Sequence, residues 1–388
     1  MTIRKNKKIL IFSGGNYRAI VAFCRELCAL NVDFFIVART KEDLLLKTKY
    51  KKNVLAIRTK RETDLVDMGN CICQVRARTG FANFVICPST EFLNLFILEH
   101  RTFFEKLNCE IPLVSIEKYK LVSNKYSFSE QCAKRNIKIP RSYSDYNNLD
   151  FPFVAKPLEN INKDNKSLYP YLIFNEKDLE EFLKNEKLSD FYFQEYVSGK
   201  SYYLLYYFSP MGGVYKFSQQ NLLQQAQGKS IVLAWPSNIH LESIADKFEI
   251  VLRDIGFWGL AMVEIRQCGN EFYFIELNPR LWGPSQLVVD AQSNIFKAFI
   301  RDVLGECTIS LPCEKAINDI RYLWLNGIVE SLLQRKNLIS YIKSPKVRLW
   351  FIVKIFLHDV YFRSDTFRLF FYELYLIFKN RNRKHEAV

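Results

Sequence analysis

The segment FYFIELNPRLWG, residues 272–283, places Glu276, Asn278 and Arg280 at alternate positions as the chain leaves an apolar run. Residues two apart on an extended chain point the same way, so a carboxylate, an amide and a guanidinium are expected to converge on one spot. Twelve residues before Glu276, Glu264 stands in the middle of the apolar run LAMVEI. The two runs are joined by RQCGNE, whose Gly269 and Asn270 favour a turn, and the pattern predicts a hairpin with both glutamates on one side. Two carboxylates and an amide form a hard, oxygen-donor set suited to Mg²⁺, which is normally held by one or two carboxylates together with substrate phosphates. The competing reading is an ordinary hairpin salt-bridged by Arg280, although isolated carboxylates in apolar strands are costly unless they coordinate or pair.

The run ELNPRLWGPSQLVVDA, following a VEI strand, resembles the ATP-grasp superfamily and in particular its carboxylate–amine ligase-like branch. Other landmarks of that family occur in the same order: Lys125 at a helix start in VSNKYSFSEQ, Lys156 in the strand FPFVAKP, and a Q-E-Y-V-x-G run made by Gln194, Glu195, Tyr196, Val197 and Gly199. Each motif alone is weak, and the ordered set, spanning roughly residues 5–330, carries the specificity. The resemblance implies ATP and Mg²⁺, two ions, as cofactors, with Glu264, Glu276 and Asn278 as metal ligands. It implies ATP contacts from Lys125, Lys156 and Lys166 and from the adenine hinge of Gln194, Glu195, Tyr196 and Val197, with Arg280 and Lys156 as the catalytic residues. The implied reaction joins a carboxylate to an amine through an acyl phosphate, releasing ADP and phosphate. A carboxylase or kinase on the same fold, and a nucleotide-binding adaptor that works through its tail, are the alternatives.

Strand and helix signals alternate before these residues. KILIF (8–12) reads as a buried strand, Gly14 and Gly15 as a turn, residues 17–30 as a helix and FFIVA (34–38) as the next strand, the βαβ opening of a parallel sheet. SGGNYR lacks the G-x-G-x-x-G spacing of a dinucleotide site, so a tight turn into a helix is its expected role. FVICPS (84–89) predicts a strand end followed by a helix over 90–107, and a boundary falls near 112–120. Ser123 and Asn124 are good N-caps, which predicts a helix from about Asn124 to Asn136 with Lys125 in its first turn. A cation there opposes the macrodipole and favours an anion close by. Lys156 is either a phosphate contact or an ordinary solvent-facing lysine. Residues 242–255 have helical period. A helix over 285–304 is expected to start beside the metal site, with Ser285 and Gln286 at an end that favours anions.

Two stretches depart from the family pattern. LENINKDNKSLYPYLI follows Lys156 where many ATP-grasp enzymes have a glycine-rich flap. Without glycine the backbone loses its tight approach to phosphate, so this polar stretch either covers the phosphates with Lys163 and Lys166 or is an ordinary solvated loop. The acid that usually follows the hinge glycine and holds the ribose hydroxyls is missing from GKSYYLL. Downstream, QQNLLQQAQGKSIV (219–232) is glutamine-rich where relatives often carry basic residues, and Lys216, Gln219 and Gln220 are the candidates for the substrate side.

At 388 residues, 49% hydrophobic and 25% charged, the chain has globular composition and length for about two or three domains. The expected architecture is α/β and α+β: a Rossmann-like pre-ATP-grasp domain over 1–117, a two-subdomain ATP-grasp core over 118–310 (118–192, then 193–310 with the metal site), and a basic, aromatic-rich helical extension over 311–388. Ten cysteines without C-x-x-C pairs and four scattered histidines argue against a zinc site or a disulfide framework, and the amino terminus has only four consecutive apolar residues, so a reduced, cytoplasmic protein is expected. From Lys315 onward 14 Lys+Arg face 6 Asp+Glu, so eight of the fourteen excess charges lie in this last segment, among Trp324, Trp350, Phe351, Phe356, Phe370, Phe371 and Tyr375. Charged residues interrupt every run long enough to span a bilayer. The extension, 336–388 above all, is either a packed helical appendage or a docking surface for the inner face of an anionic membrane or for a polyanion. No recognition motif accompanies the charge, which argues against nucleic acid. The other partners implied are a small-molecule or saccharide carboxylate and an amine.

Overall fold

Five short strands make a parallel sheet: β1 (Lys7–Phe12), β2 (Phe34–Ala38), β3 (Val54–Ile57), β4 (Asn83–Ile86) and β5 (Cys109–Glu110), in the order β3-β2-β1-β4-β5. Both faces of such a sheet are covered, so β1, β2 and β4 carry the continuous apolar runs ILIF, FFIVA and FVI instead of alternating. The covering helices are α1 (Tyr17–Ala29), α2 (Leu65–Thr79), α3 (Glu91–Glu99) and α4 (Arg101–Lys106). The helix expected over 90–107 is broken at His100, which caps both α3 and α4. The computed structural model describes residues 7–143, 146, 149–158, 168–311, 320–341 and 357–385.

Two helices lead out of this layer, α5 (Ile116–Ser123), inside the expected boundary, and α6 (Lys125–Lys134). The Asn124 side chain accepts from Tyr126 N and Ser127 N, both at 3.0 Å, which starts α6 at Lys125. An antiparallel sheet follows, from β6 (Ser142–Tyr143), β7 (Phe153–Pro157), β8 (Tyr171–Ile173) and β9 (Phe191–Glu195), in the order β6-β9-β7-β8. Helix α7 (Glu176–Asn185) closes it by burying Phe182 against Phe153, Phe191 and Phe193.

The largest sheet has seven strands: β10 (Lys200–Phe208), β11 (Val214–Gln224), β12 (Ile231–Pro236), β13 (Gly259–Cys268), β14 (Glu271–Asn278), β15 (Tyr322–Leu323) and β16 (Ile339–Ser340). Strand β10 divides its side chains by parity. Tyr202, Leu204, Tyr206 and Phe208 join the core under α8 (Ser243–Ile255), whereas Tyr203, Leu205 and Tyr207 join the core shared with α1 and α10 (Asn294–Leu304). The helix expected over 285–304 is two pieces, α9 (Ser285–Asp290) and α10, separated where Gln292 takes a φ of 56°.

Among the described residues the extension contributes β15 and β16 to this sheet and two helices, α11 (Leu325–Leu333) and α12 (Phe367–His385). Buried Asp359 anchors it by accepting from Leu325 N, Tyr361 N and Phe362 N at 2.8, 2.7 and 2.8 Å. The Arg18 guanidinium of α1 lies 3.8 Å over the Trp324 ring, so this tryptophan is part of the packing and not a surface anchor. Trp350, Phe351 and Phe356 lie outside the described residues. Among the described residues no helix is long and apolar enough to cross a membrane.

Candidate active site

Strands β13 and β14 form the expected hairpin, turned by Gly269 (φ 59°) and Asn270, with Glu264 and Glu276 as direct cross-strand partners. Side chains so placed share a face, with Cβ atoms about 5 Å apart. The register slips immediately beyond them, because Ile265 pairs with Phe274 and Ile275 is left as a bulge. A bulge frees backbone groups from the ladder. Here the freed Ile275 carbonyl accepts from Lys156 Nζ at 3.4 Å. Lys156 stands on β7 of the four-stranded sheet, so the bulge brings the two sheets together at the glutamates. Lys125, the first residue of α6, pairs with Glu276 Oε2 at 3.3 Å. Asn278 donates to Glu276 Oε1 and accepts from Arg280 Nη2, each at 2.8 Å. Six residues from four parts of the chain thus meet at one site.

Its electrostatics are unbalanced without a ligand. Burial pushes the Glu276 carboxyl up, but Lys125, the Asn278 amide, Arg280 and Lys156 together outweigh it and hold the group below its usual range. Glu264 sits above the usual range, because burial, with Glu276 adding to it, exceeds the pull of Arg266. Lys156 is 7% exposed, and burial, reinforced by Lys125, lowers its pKa to about 7 against the pull of the two glutamates. A cation beside Glu264 and an anion beside Lys156 would each favour the charged form that burial disfavours. Among the described residues no three His, Cys, Asp or Glu cluster into a closed metal cage. Two carboxylates and an amide nevertheless fit Mg²⁺, which completes its octahedron with waters and phosphate oxygens.

The first layer reaches this site directly. Pro88, beyond β4, accepts from Leu281 N at 3.1 Å, and Asn16, beyond the Gly14-Gly15 turn, donates to Leu281 O at 3.0 Å. Arg280 donates to the same carbonyl at 3.1 Å, so the NPR loop is fixed against the parallel sheet. No protein-family model and no curated protein sequence matches the chain. Solved structures do. One is N5-carboxyaminoimidazole synthetase from Staphylococcus aureus complexed with ADP (TM-score 0.58, 19% identity, 80% of this chain and 80% of that one). Another is the biotin carboxylase domain of Hydrogenobacter thermophilus 2-oxoglutarate carboxylase with MgADP, ADP and bicarbonate (TM-score 0.56, 14% identity, 81% and 73% covered). A third is L-amino acid ligase from Bacillus licheniformis (TM-score 0.53, 16% identity, 78% and 75% covered). The chain has the ATP-grasp fold.

Within the ATP-grasp fold, the segment resembling the adenine hinge joins β9 to β10. Gln194 is buried and donates to Pro140 O at 3.2 Å, while Glu195 accepts from Arg141 N at 3.1 Å, so both side chains tie the 140–143 segment to β9. Tyr196 stands edge-on to Phe174 at 5.2 Å, and Val197 is buried. Gly199, at φ 113°, lets the hinge press onto β13: a Cβ there would lie 2.0 Å from Gln267 O. Lys163 and Lys166, in the expected flap, lie outside the described residues.

Three sequence expectations are corrected. Lys216 has the parity of Tyr206 and faces α8, where it pairs with Asp246 and Glu249 at 2.7 and 2.9 Å instead of facing the substrate side. Gln220 shares that parity and accepts from Trp235 Nε1 at 3.1 Å. Ser285 and Gln286 are buried and engaged, by Trp282 O and by Arg25 and Asp290, so they present no anion site.

Gln219 does lie on the glutamate face, at the head of a hydrogen-bond chain the sequence did not disclose. It donates to Asn221 at 2.8 Å, Asn221 to Ser201 at 2.8 Å, and Ser201 to Glu264 at 3.3 Å. Arg266, two residues beyond Glu264 on the same face, pairs with it at 3.3 Å and lies 4.5 Å over the ring of Tyr341 from the extension. The alternation that joins Glu276 to Asn278 also joins Glu264 to Arg266, so Arg266 was legible. Tyr341 was not, since it arrives through β16, a two-residue strand.

Proposed function

We propose that this chain is an ATP-dependent ligase that joins a carboxylate to an amine through an acyl phosphate. The observation that carries the reading is the pairing of Glu264 with Glu276 directly beneath Lys156 and Lys125. Alternating fixed charges of this kind suit a polyphosphate and its counter-ion, and positioning with charge neutralisation supplies most of the catalysis in phosphoryl transfer. The similar solved structures lend support, because one is complexed with ADP, one with MgADP, and one is an amino acid ligase.

Glu264, Glu276 and Asn278 would hold Mg²⁺, which supplies Lewis-acid neutralisation of the ATP phosphates. Lys156 and Lys125 offset negative charge on the transferring group, and Arg280, fixed by Asn278 and Leu281 O, faces the same centre. A substrate carboxylate oxygen attacks the γ-phosphorus and ADP leaves. The amine then attacks the acyl carbon, phosphate leaves with the carboxylate oxygen, and the amine nitrogen loses a proton to give the amide. Arg266 Nη1 and Gln219 Oε1 are buried without a partner among the described residues, and a bound substrate is a natural explanation for such groups. We assign the reaction to the cytoplasm, where ATP is made and thiols stay reduced; the nine described cysteines are all free.

The test is a screen of acids and amines in pairs for Mg-dependent ADP release, followed by ¹⁸O labelling of the active acid. The ligase reading expects label in the released phosphate and phosphate release that requires the amine. Phosphate released without label, or a stable phosphorylated product formed without amine, would exclude it.

A further inference from the structure

Helix α12 buries one side and exposes a row of rings on the other. Leu369 and Phe370 are buried, and Glu373 accepts from Trp324 and Asn326 at 3.1 and 2.7 Å. Phe367, Phe371, Tyr375 and Phe378 are 47, 51, 55 and 48% exposed. At about 100° per residue their spacing confines them to one stripe roughly 80° wide. Single exposed rings are ordinary, whereas a continuous row marks a contact surface. Exposed Arg368 and Lys379 border the stripe on one side and Arg381 on the other.

The helical turns of residues 44–53 pack beside α12 and carry exposed Lys47, Lys49, Lys51 and Lys52. Between them and the helix lies an open groove of about 690 Å³, lined by Lys47, Lys51, Arg368, Phe367 and Phe371 among others and by no acidic residue. Lys47 stands 4.7 Å over the Tyr372 ring. Among the described residues none of these cations is in an ion pair.

We propose that this face, α12 with the turns of residues 44–53, docks on a bilayer surface containing anionic phospholipid. The two halves of the surface ask for different things that one partner supplies together. Rings on one helical stripe enter the boundary between headgroup and acyl chain, and flanking cations meet lipid phosphate. An acidic polysaccharide would meet the cations but offers no apolar interior for a stripe of three phenylalanines and a tyrosine. A second copy of the same face would set like charges against each other. The inference is independent of the ligase reading, since none of these residues belongs to the cluster around Glu264 and Glu276.

The experiment is flotation of the full-length protein with phosphatidylcholine vesicles and with vesicles also containing phosphatidylglycerol, at low and high salt. Binding is expected only with phosphatidylglycerol and at low salt. Lys51→Glu combined with Arg368→Glu should weaken it by about fivefold per cation removed, or more, and Phe371→Ser combined with Tyr375→Ser should weaken it without changing Tm. Absence of binding to the anionic vesicles, equal binding to both lipids, or binding that survives loss of the two rings would overturn the proposal. So would a dimer, seen by light scattering, that Phe371→Ser dissolves.

Discussion

Lys156 carries a burial cost that the proposed phosphate contact would offset. A lysine almost wholly out of water, its pKa lowered to about 7 by burial and by Lys125, destabilises the nucleotide-free protein. Between about pH 7 and the lysine's ordinary 10.5 the unfolded chain binds the extra proton, so stability of the Mg- and nucleotide-free protein should rise with pH across that window; below pH 7 the penalty is present in full. Lys156→Met should remove the rise and leave apo Tm undiminished near neutral pH, as denaturant melts at several pH values would show. The same substitution removes a charged contact worth about 1.5–3 kcal/mol, so nucleotide affinity should fall roughly tenfold to hundredfold. Equal affinity in calorimetry would return Lys156 to a structural role. Glu276→Gln removes the carboxylate that Lys125 and Asn278 hold charged, and a loss of several kcal/mol of charge stabilisation predicts roughly a 100-fold fall or more in turnover. The double variant with Glu264→Gln should be little worse, because ligands that act as a unit are not additive.

Elements decide which of these residues meet. The β13–β14 hairpin was legible because its polar residues alternate against an apolar background and Gly269-Asn270 mark the turn. The α6 start was legible from Asn124. The Ile275 bulge was not, since nothing in FYFIEL marks where pairing slips, and it is the bulge that gives Lys156 its acceptor. Lys216 was misread because parity on β11 depends on a pairing partner that one strand cannot name. Gly199 tests the element scale. At φ 113° and with Gln267 O where a Cβ would go, Gly199→Ala must move the hinge away from β13. The expected outcome is a stability loss of about 1–3 kcal/mol by denaturant unfolding, with KM for ATP raised. A variant with wild-type stability and KM would show that the hinge does not rely on this contact.

At the scale of the molecule, the basic extension that composition sets apart is built into the fold. It adds β15 and β16 to the central sheet, brings Tyr341 beneath Arg266, and buries Val360, Tyr361, Leu369 and Phe370 in the core shared with α1 and α10. Large apolar side chains contribute about 1.5–3 kcal/mol each on burial, against a typical total of about 5–15 kcal/mol. Removal of residues 336–388 should therefore yield unfolded or aggregated protein, whereas a soluble truncation with native Tm and turnover would make the extension a separable tail. All three layers converge on the cluster of Glu276, Lys125 and Lys156 that would hold Mg-nucleotide. Calorimetric titration of a non-hydrolysable ATP analogue into wild type and Glu276→Gln, each with and without Mg²⁺, tests that role most directly. Mg-dependent binding by wild type, lost or strongly weakened in Glu276→Gln at unchanged Tm, is the predicted result. Binding that is indifferent to both Mg²⁺ and the substitution would contradict it.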